Sequence, residues 1–141
     1  MATSKHTIIY AEDDMDDVFI VQQAFEQHDH ITVVHSSNGS EALELLENML
    51  RQNCLPCLVI LDINMPVMNG KETLQAIRNH PRLNKLQVVL FSTSNSPNDK
   101  AFAQSFDAIL VTKPIEYSDL EHIAKIFVDQ CNFEINKLSV N

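Results

Sequence analysis

Carboxylates stand directly after two short apolar runs of the sequence. Glu12, Asp13 and Asp14 follow one run, at residues 7–11, and Asp62 follows another. Carboxylates that crowd together repel one another, and without a cation some of them would take up protons. A hard divalent ion relieves this repulsion, and Mg²⁺ suits a site with one or two carboxylates, a carbonyl and several waters. If the two runs end side by side, their acids favour a magnesium site.

A hydroxyl group and an ammonium group stand at the ends of two later apolar runs. Ser92 follows the run at residues 87–91, and Lys113 comes shortly after the run at residues 108–111. A lysine beside a bound metal provides a second positive charge, and a phosphoryl group can bridge the two. The residue types therefore indicate a Mg²⁺-assisted phosphoryl site in which a carboxylate is the nucleophile.

Short apolar runs alternate with amphipathic segments along the chain, and this alternation indicates which elements position the polar residues. The five runs are residues 7–11, 31–34, 57–61, 87–91 and 108–111. The third and fourth are almost continuously apolar, which is typical of parallel strands covered on both faces. Five strands, each followed by a helix, predict an α/β fold, a doubly wound (βα)5 flavodoxin-like three-layer sandwich with parallel strand order 2-1-3-4-5. The functional strand ends of such a sheet meet at one edge, near strands one and three.

Length, charge and glycine content limit the possible classes of function. The chain has 141 residues, enough for one domain, and a formal net charge of −9 from 19 acidic and 10 basic residues. This acidic excess argues against nucleic acid or an anionic membrane as a direct partner. Gly39 and Gly70 are the only glycines of the sequence. A Gly-rich dinucleotide loop and a P-loop are therefore both excluded.

Cysteine usage and the lack of long apolar stretches predict a cytoplasmic protein. No stretch approaches the roughly 20 apolar residues of a spanning helix, and the first residues lack the apolar core of a signal peptide. The three cysteines, an odd number, fit a reducing compartment. Cys54 and Cys57 form a C-x-x-C motif, but it precedes a strand instead of opening a helix, so we expect a structural role for it.

Four separated motifs, in their order along the chain, resemble the receiver domain of two-component response regulators. The resemblance covers roughly residues 5–131, and we expect residues 1–131 to form this domain and residues 132–141 to be a short C-terminal extension past the last helix. The motifs are Glu12-Asp13 after the first strand, Leu61-Asp62-Ile63-Asn64-Met65-Pro66 with Gly70 after the third, Ser92 after the fourth, and Lys113-Pro114 after the fifth.

The resemblance implies an acceptor and a metal site. Asp62 would be the phospho-acceptor and also a Mg²⁺ ligand. Asp13 would bind the ion directly, Glu12 would act through a water, and the backbone carbonyl of Asn64 would be a further ligand. In this family the acidic pair begins directly after the apolar strand, so Glu12 and Asp13 fit it and we expect Asp14 to point outward.

The resemblance also implies groups that bind the phosphoryl oxygens and set the lifetime of the adduct. Ser92 would donate its hydroxyl to the phosphoryl group, and Lys113 would pair with one of its oxygens. The bond before Pro114 resembles the cis peptide of the family, and X-Pro is the only bond type for which cis is inexpensive. Asn64 and Ser94 occupy positions that, in the family, flank the path of the attacking water and tune dephosphorylation.

Two positions depart from the family pattern. Ser92 stands where many relatives have Thr, which keeps the hydroxyl and loses a methyl contact. Leu110 stands three residues before Lys113, at the usual position of an aromatic switch residue. A rotating aromatic ring coupled to Ser92 is therefore not expected. The signal would instead pass through movement of the backbone and loop after strand four, or through another element.

The resemblance implies a signalling function for a stand-alone receiver. The chain would accept a phosphoryl group from a sensor histidine kinase, a phosphotransfer protein or a small phosphodonor, and would signal by protein contact through helix four, strand five and helix five. Neither membrane insertion nor enzymatic turnover beyond its own phosphorylation and dephosphorylation is expected. Two alternatives stay open: an intermediate carrier in a phosphorelay, and a Mg²⁺-dependent aspartyl phosphohydrolase. Asn64 argues against the hydrolase, because an acid that transfers a proton is usual two residues after the nucleophile.

Overall fold

Five strands alternate with five helices in the computed structural model, which describes residues 6–94 and 96–139. The strands are β1 (His6–Ala11), β2 (Ile31–Ser36), β3 (Leu58–Asp62), β4 (Val88–Ser92) and β5 (Ile109–Thr112). The helices are α1 (Met15–Ala24), α2 (Gly39–Arg51), α3 (Gly70–Asn79), α4 (Pro97–Ser105) and α5 (Tyr117–Ser139). Each strand lies within one or two residues of the apolar run that predicted it.

All strands pair in parallel, in the order β2-β1-β3-β4-β5, which confirms the predicted flavodoxin-like topology. Every residue of β3 and β4 is buried, as expected of central strands covered on both faces. One face of the sheet packs against α1 and α5, and the other packs against α2, α3 and α4. The molecule therefore has three layers, with β1 and β3 adjacent at the topological switch point.

Polar side chains begin four of the helices at the edge where the strands end. Asp14, Asn38, Asn69 and Ser96 are the N-caps of α1, α2, α3 and α4, and each side chain accepts hydrogen bonds from backbone N–H groups of the first turn. Pro97 follows at the first position of α4. These caps fix where each helix starts.

The last helix is longer than the sequence predicted. α5 continues to Ser139, so the expectation that residues 132–141 lie past the last helix is wrong for residues 132–139, and residues 140–141 lie outside the described part of the chain. The sequence has no Gly or Pro after Pro114. Without a helix-breaking residue the backbone hydrogen bonds of α5 continue. Among the described residues, no helix has both the length and the apolar character that crossing a bilayer requires.

A disulfide joins the start of the central sheet to α5. Cys57, which directly precedes β3, is bonded to Cys131 across 74 residues of sequence, while Cys54 is exposed and free. The C-x-x-C cysteines are therefore not bonded to each other, in keeping with the structural role expected for them. The inference of a reducing compartment from an odd number of cysteines is not supported, because two of the three are paired across a distance that sequence spacing does not reveal.

Reduction of this disulfide is expected to lower the melting temperature. Closing a loop of this length stabilises a folded chain by about 2–4 kcal/mol, which for a domain of this size corresponds to a shift on the order of 10 °C. Circular dichroism melting with and without a phosphine reductant measures the difference. Cys54→Ser is the matched control and should keep the full shift, whereas equal melting temperatures under both conditions would contradict the disulfide.

Candidate functional site

Three carboxylates meet where β1 and β3 end. Glu12 and Asp13 follow β1, Asp62 is the last residue of β3, and one oxygen of each side chain lies within 4.8 Å of the others. Glu12 and Asp62 are buried, with 1% and 6% of their surface exposed, while Asp13 is exposed. Three oxygens at this separation, open to solvent on one side, fit a hard divalent cation that keeps some of its waters.

Glu12 is the most deeply buried member of this acidic cluster. Its carboxylate accepts hydrogen bonds from the Tyr10 hydroxyl at 3.1 Å, the Lys113 ammonium at 2.5 Å and the Asp14 backbone N–H at 3.3 Å. Burial and the nearby Asp62 nevertheless raise the pKa of Glu12 above its usual value, although Lys113 opposes the shift. Burial and the Glu12 carboxylate raise the pKa of the Tyr10 phenol. The three carboxylates of the cluster outnumber the Lys113 ammonium that lies beside them.

The Lys113 ammonium lies among three carboxylates. Its Nζ atom is 2.5 Å from Glu12, 3.0 Å from Oδ2 of Asp17 and 3.5 Å from Oδ2 of Asp62. Burial alone would lower the pKa of Lys113, but its hydrogen bonds to Glu12 and Asp17 raise it above its ordinary value. Lys113 is therefore a charged ammonium at every physiological pH.

Asp17 is a member of this site that the sequence reasoning missed. It lies in the first turn of α1 among several other acids, and its side chain is 39% exposed. A signal was present, because Asp17 is four residues before the buried Val21, and residues at that spacing share one face of a helix.

The loop after β3 holds Asp62 through tight backbone contacts. The Asn64 N–H donates to Oδ1 of Asp62 at 3.4 Å, and a Cβ atom at Gly70 would clash with the Asp62 carbonyl oxygen. Within this loop Val67 has a φ of 68°, in a turn closed by a bond from the Met68 N–H to the Pro66 carbonyl at 2.7 Å. A branched residue at positive φ is strained and is found mainly where the surroundings enforce it. The geometry thus fixes the backbone on both sides of Asn64.

Ser92 lies at the end of β4, next to the acidic cluster in the sheet order. Its side chain is buried, and its hydroxyl oxygen accepts from the Ser94 N–H at 3.2 Å. Its backbone carbonyl accepts from the Lys113 N–H at 2.8 Å, which connects the ends of β4 and β5. The Ser94 hydroxyl donates to Asp99 at 3.1 Å, so this side chain is engaged by α4.

An ion pair connects α3 to α4 beside this loop. The Lys71 ammonium lies 2.5 Å from Asp99 and 5.2 Å from the centre of the Phe102 ring. Hydrogen bonds from Lys71, and then from Ser94 and Ser96, hold the pKa of Asp99 below its ordinary value of 3.8. These contacts fix the first turn of α4 relative to α3.

Two of the other predicted positions have clear outcomes. Asp14 caps α1 and is exposed, outside the acidic cluster, as expected for an outward-pointing residue. The Lys113–Pro114 peptide is trans, so the cis peptide expected before Pro114 is wrong for this structure. Trans is the preferred isomer of an X-Pro bond by about 0.5–1 kcal/mol. Leu110, at the position of the usual aromatic switch residue, is half-buried in β5. It packs against the apolar core on the face of the sheet that α2, α3 and α4 cover.

Residues 8–125 match the response regulator receiver domain family, over most of the chain. The chain belongs to this family. Its members are signalling modules of two-component systems, in general without enzymatic turnover, and the acidic cluster of Glu12, Asp13 and Asp62 lies at the usual receiver site. This confirms the family that the sequence motifs predicted.

Several known response regulators resemble this receiver chain. The nitrate/nitrite response regulator NarL of Escherichia coli is 38% identical over 103 residues, which are 71% of this chain but 44% of NarL, so the chain spans less than half of that relative. The phosphorylated cyanobacterial phytochrome response regulator RcpA superposes with a TM-score of 0.78 at 28% identity, covering 88% of this chain and 91% of RcpA. The Mn²⁺-bound form of response regulator Rcp1 gives 0.73 at 25% identity, covering 84% and 88%.

Asp99→Asn is expected to reduce the free energy of unfolding by about 0.5–1 kcal/mol at neutral pH, because it removes a partly buried ion pair. Since the pKa of Asp99 is lower in the folded receiver than its ordinary 3.8, the stabilisation is complete above that value and disappears as the pH falls through the folded pKa. Urea unfolding at neutral and acidic pH measures this. Lys71→Met should cost a similar amount, and the double variant should cost less than the sum; additive losses would contradict the pair.

Proposed function

We propose that this receiver accepts a phosphoryl group on Asp62, with Mg²⁺ at the acidic cluster, and thereby acts as the switch of a two-component pathway. The observation that carries the proposal is the convergence of Glu12, Asp13 and Asp62 within 4.8 Å, with the Lys113 ammonium beside them. This arrangement combines a nucleophile, a site for a cation and a fixed positive charge.

The residues present fit a magnesium ion. All three side chains of the cluster offer carboxylate oxygens, the ligands that this ion prefers. Burial and the neighbouring Asp62 raise the pKa of Glu12, and a bound cation would oppose this shift. Asp13 and Asp62 would hold the ion directly, together with the Asn64 carbonyl, and Glu12 would hold it through a water. When bound, the ion would neutralise charge on the acids and on the incoming phosphoryl group.

Hydrogen bonding distinguishes Asp62 from Glu12 as the nucleophile. Glu12 is held by three donors, from Tyr10, Lys113 and the Asp14 backbone, at 2.5–3.3 Å. Among the residues that the structure describes, the donors beside Asp62 lie farther away, at 3.4 Å for the Asn64 N–H and 3.5 Å for the Lys113 ammonium. A carboxylate whose lone pairs are less engaged is the better nucleophile, which favours Asp62.

The transfer step is a displacement at phosphorus. An oxygen of Asp62 forms the new P–O bond while the bond from phosphorus to the donor breaks, and the donor group leaves with the electron pair. For a phosphohistidine donor the leaving group is an imidazole nitrogen, and for an acyl phosphate it is a carboxylate. Lys113 and the Ser92 hydroxyl would bind the phosphoryl oxygens as their charge develops.

A sensor histidine kinase is the phosphodonor that receiver membership implies, and the surface beside the site offers it an apolar contact. Met15, Phe19 and Ile20 on α1 are 61%, 62% and 37% exposed, and Ile115, after the site lysine, is 99% exposed. A cavity of about 240 Å³ separates α1 from the loop that contains Ile115. Ile20 and Ile115 both line this cavity, and exposed apolar side chains that lie together are typical of a protein-binding surface.

The surface formed by α4, β5 and α5 is the proposed route of signal output. The phosphorylated receiver would signal by contact through α4, β5 and α5, where Ile109 on the edge strand is 46% exposed. Ser94 and Asn64 would set the lifetime of the adduct.

Because sensor kinases present their phosphohistidine inside the cell, we place the receiver in the cytoplasm, where the Cys57–Cys131 disulfide would respond to the redox state.

Two other functions use the same residues. An intermediate carrier in a phosphorelay would need the same chemistry at Asp62 and differs only in passing the group on to a histidine. An aspartyl phosphohydrolase would need a proton-transferring acid at position 64, where this chain has the exposed Asn64. Turnover of phosphate monoesters is therefore expected to be poor.

Incubation with Mg²⁺ and acetyl phosphate is expected to produce a single acid-stable, base-labile phosphoryl adduct that maps to Asp62. The adduct should disappear with a chelator, because the crowded carboxylates then repel the donor. Mass spectrometry of the intact protein and of its peptides measures both results. Asp62→Asn should abolish the adduct.

The matched control is Asp14→Asn, which removes a carboxylate of the same edge while keeping a helix cap. It should leave the adduct unchanged. An undiminished adduct on Asp62→Asn would contradict the acceptor assignment, and sustained phosphate release from unrelated monoesters would support the hydrolase.

A further inference from the structure

Asp17 contacts the site lysine without belonging to the metal cluster. Its Oδ2 atom accepts a hydrogen bond from the Lys113 ammonium at 3.0 Å. The Lys113 side chain is 12% exposed, so this contact is made in a mostly water-excluded setting, where an ion pair is stronger than at an open surface. Asp17 is the group through which the first turn of α1 holds the ammonium.

The three carboxylates around Lys113 compete for its donors. The ammonium has three N–H groups, and its neighbours Glu12, Asp17 and Asp62 are at 2.5, 3.0 and 3.5 Å. A phosphoryl group on Asp62 would bring further anionic oxygens to the same ammonium. Two of the three N–H groups already donate to Glu12 and Asp17, so a phosphoryl group that engages more than the third, or draws the ammonium toward Asp62, lengthens one of these two hydrogen bonds.

Burial identifies Asp17 as the partner that yields. Glu12 is 1% exposed and is fixed on its other side by the Tyr10 hydroxyl, so it cannot turn away without leaving an unpaired charge inside the protein. The Asp17 side chain is 39% exposed and can exchange the ammonium for water by rotating outward. Breaking the contact between Asp17 and Lys113 therefore costs less free energy than breaking the contact between Glu12 and Lys113.

We propose that Asp17 is a positioning residue that competes with the phosphoryl group for Lys113. The inference rests on the proposed function, because it requires a phosphoryl group at Asp62. In the unphosphorylated receiver Asp17 holds the ammonium toward α1, and phosphorylation draws it away. Asp17 thereby lowers the affinity of the site for a phosphoryl group and couples the start of α1 to the state of Asp62.

Removal of the competitor is expected to favour the phosphorylated state. Asp17→Asn should tighten the Mg²⁺-dependent binding of beryllofluoride, a non-covalent phosphoryl mimic, by roughly two- to fivefold, the range for a partly exposed ion pair. Amide NMR titration of the full chain measures the affinity. The phosphoryl adduct formed with acetyl phosphate should also live longer in Asp17→Asn than in the wild-type chain.

Asp16→Asn is the matched control for charge. Asp16 is in the same first turn and carries the same charge, but it is exposed and is not one of the partners of Lys113. It reports how the lost charge alone changes the affinities for Mg²⁺ and the mimic. The proposal requires that Asp17→Asn tighten binding more than Asp16→Asn does.

A second comparison separates positioning from a general structural effect. In a Lys113→Met background the Asp17→Asn change should no longer alter the affinity beyond the change seen with Asp16→Asn, because the shared ammonium is gone. Equal affinities of the Asp16→Asn and Asp17→Asn variants, weaker binding by Asp17→Asn, or an effect that persists without Lys113 would each overturn the proposal. Failure of the wild-type chain to bind beryllofluoride would instead overturn the proposed function.

Discussion

The site depends on the burial of a carboxylate beside a second one. Glu12 and Asp62 are both nearly inaccessible to solvent, at the ends of adjacent parallel strands, and the strand pairing leaves them no freedom to separate. Two buried negative charges at this distance need positive charge nearby. Lys113, directly after β5, supplies part of it, while burial and the neighbouring Asp62 still raise the pKa of Glu12. A divalent cation would supply positive charge at this site, whereas a phosphoryl group on Asp62 would add negative charge to it.

The surrounding loops hold the site through backbone contacts more than through long side chains. The Gly70 backbone lies against the Asp62 carbonyl, and the turn at Val67 fixes the chain between them. On the other side, Ser94 and Asp99 connect the loop after β4 to the start of α4, which Lys71 joins to α3. Ser92 is therefore connected to α4 by two hydrogen bonds, from the Ser94 N–H to Ser92 and from the Ser94 hydroxyl to Asp99, neither of which involves position 110.

The sequence was sufficient to predict the topology and the acidic cluster, because the apolar runs are distinct and the acids directly follow them. It was insufficient for Asp17, since the direction of that side chain depends on the rotation of α1, which the packing of Val18 and Val21 sets. It was also insufficient for the Cys57–Cys131 pair, whose partners lie 74 residues apart. Contacts that depend on the relative placement of two elements are not encoded in local spacing.

The disulfide has a mechanical consequence for α5. Cys57 lies at the start of β3, and Asp62 lies at its end, roughly 16 Å away at 3.3 Å per residue. The cross-link therefore attaches α5 to the edge of the sheet opposite the site. The beginning of α5, which follows the loop of Lys113, has no such attachment among the described cysteines. A displacement that starts at the site would therefore meet noncovalent packing, through Leu120 and Ala124, at the start of α5 and a covalent attachment at Cys131.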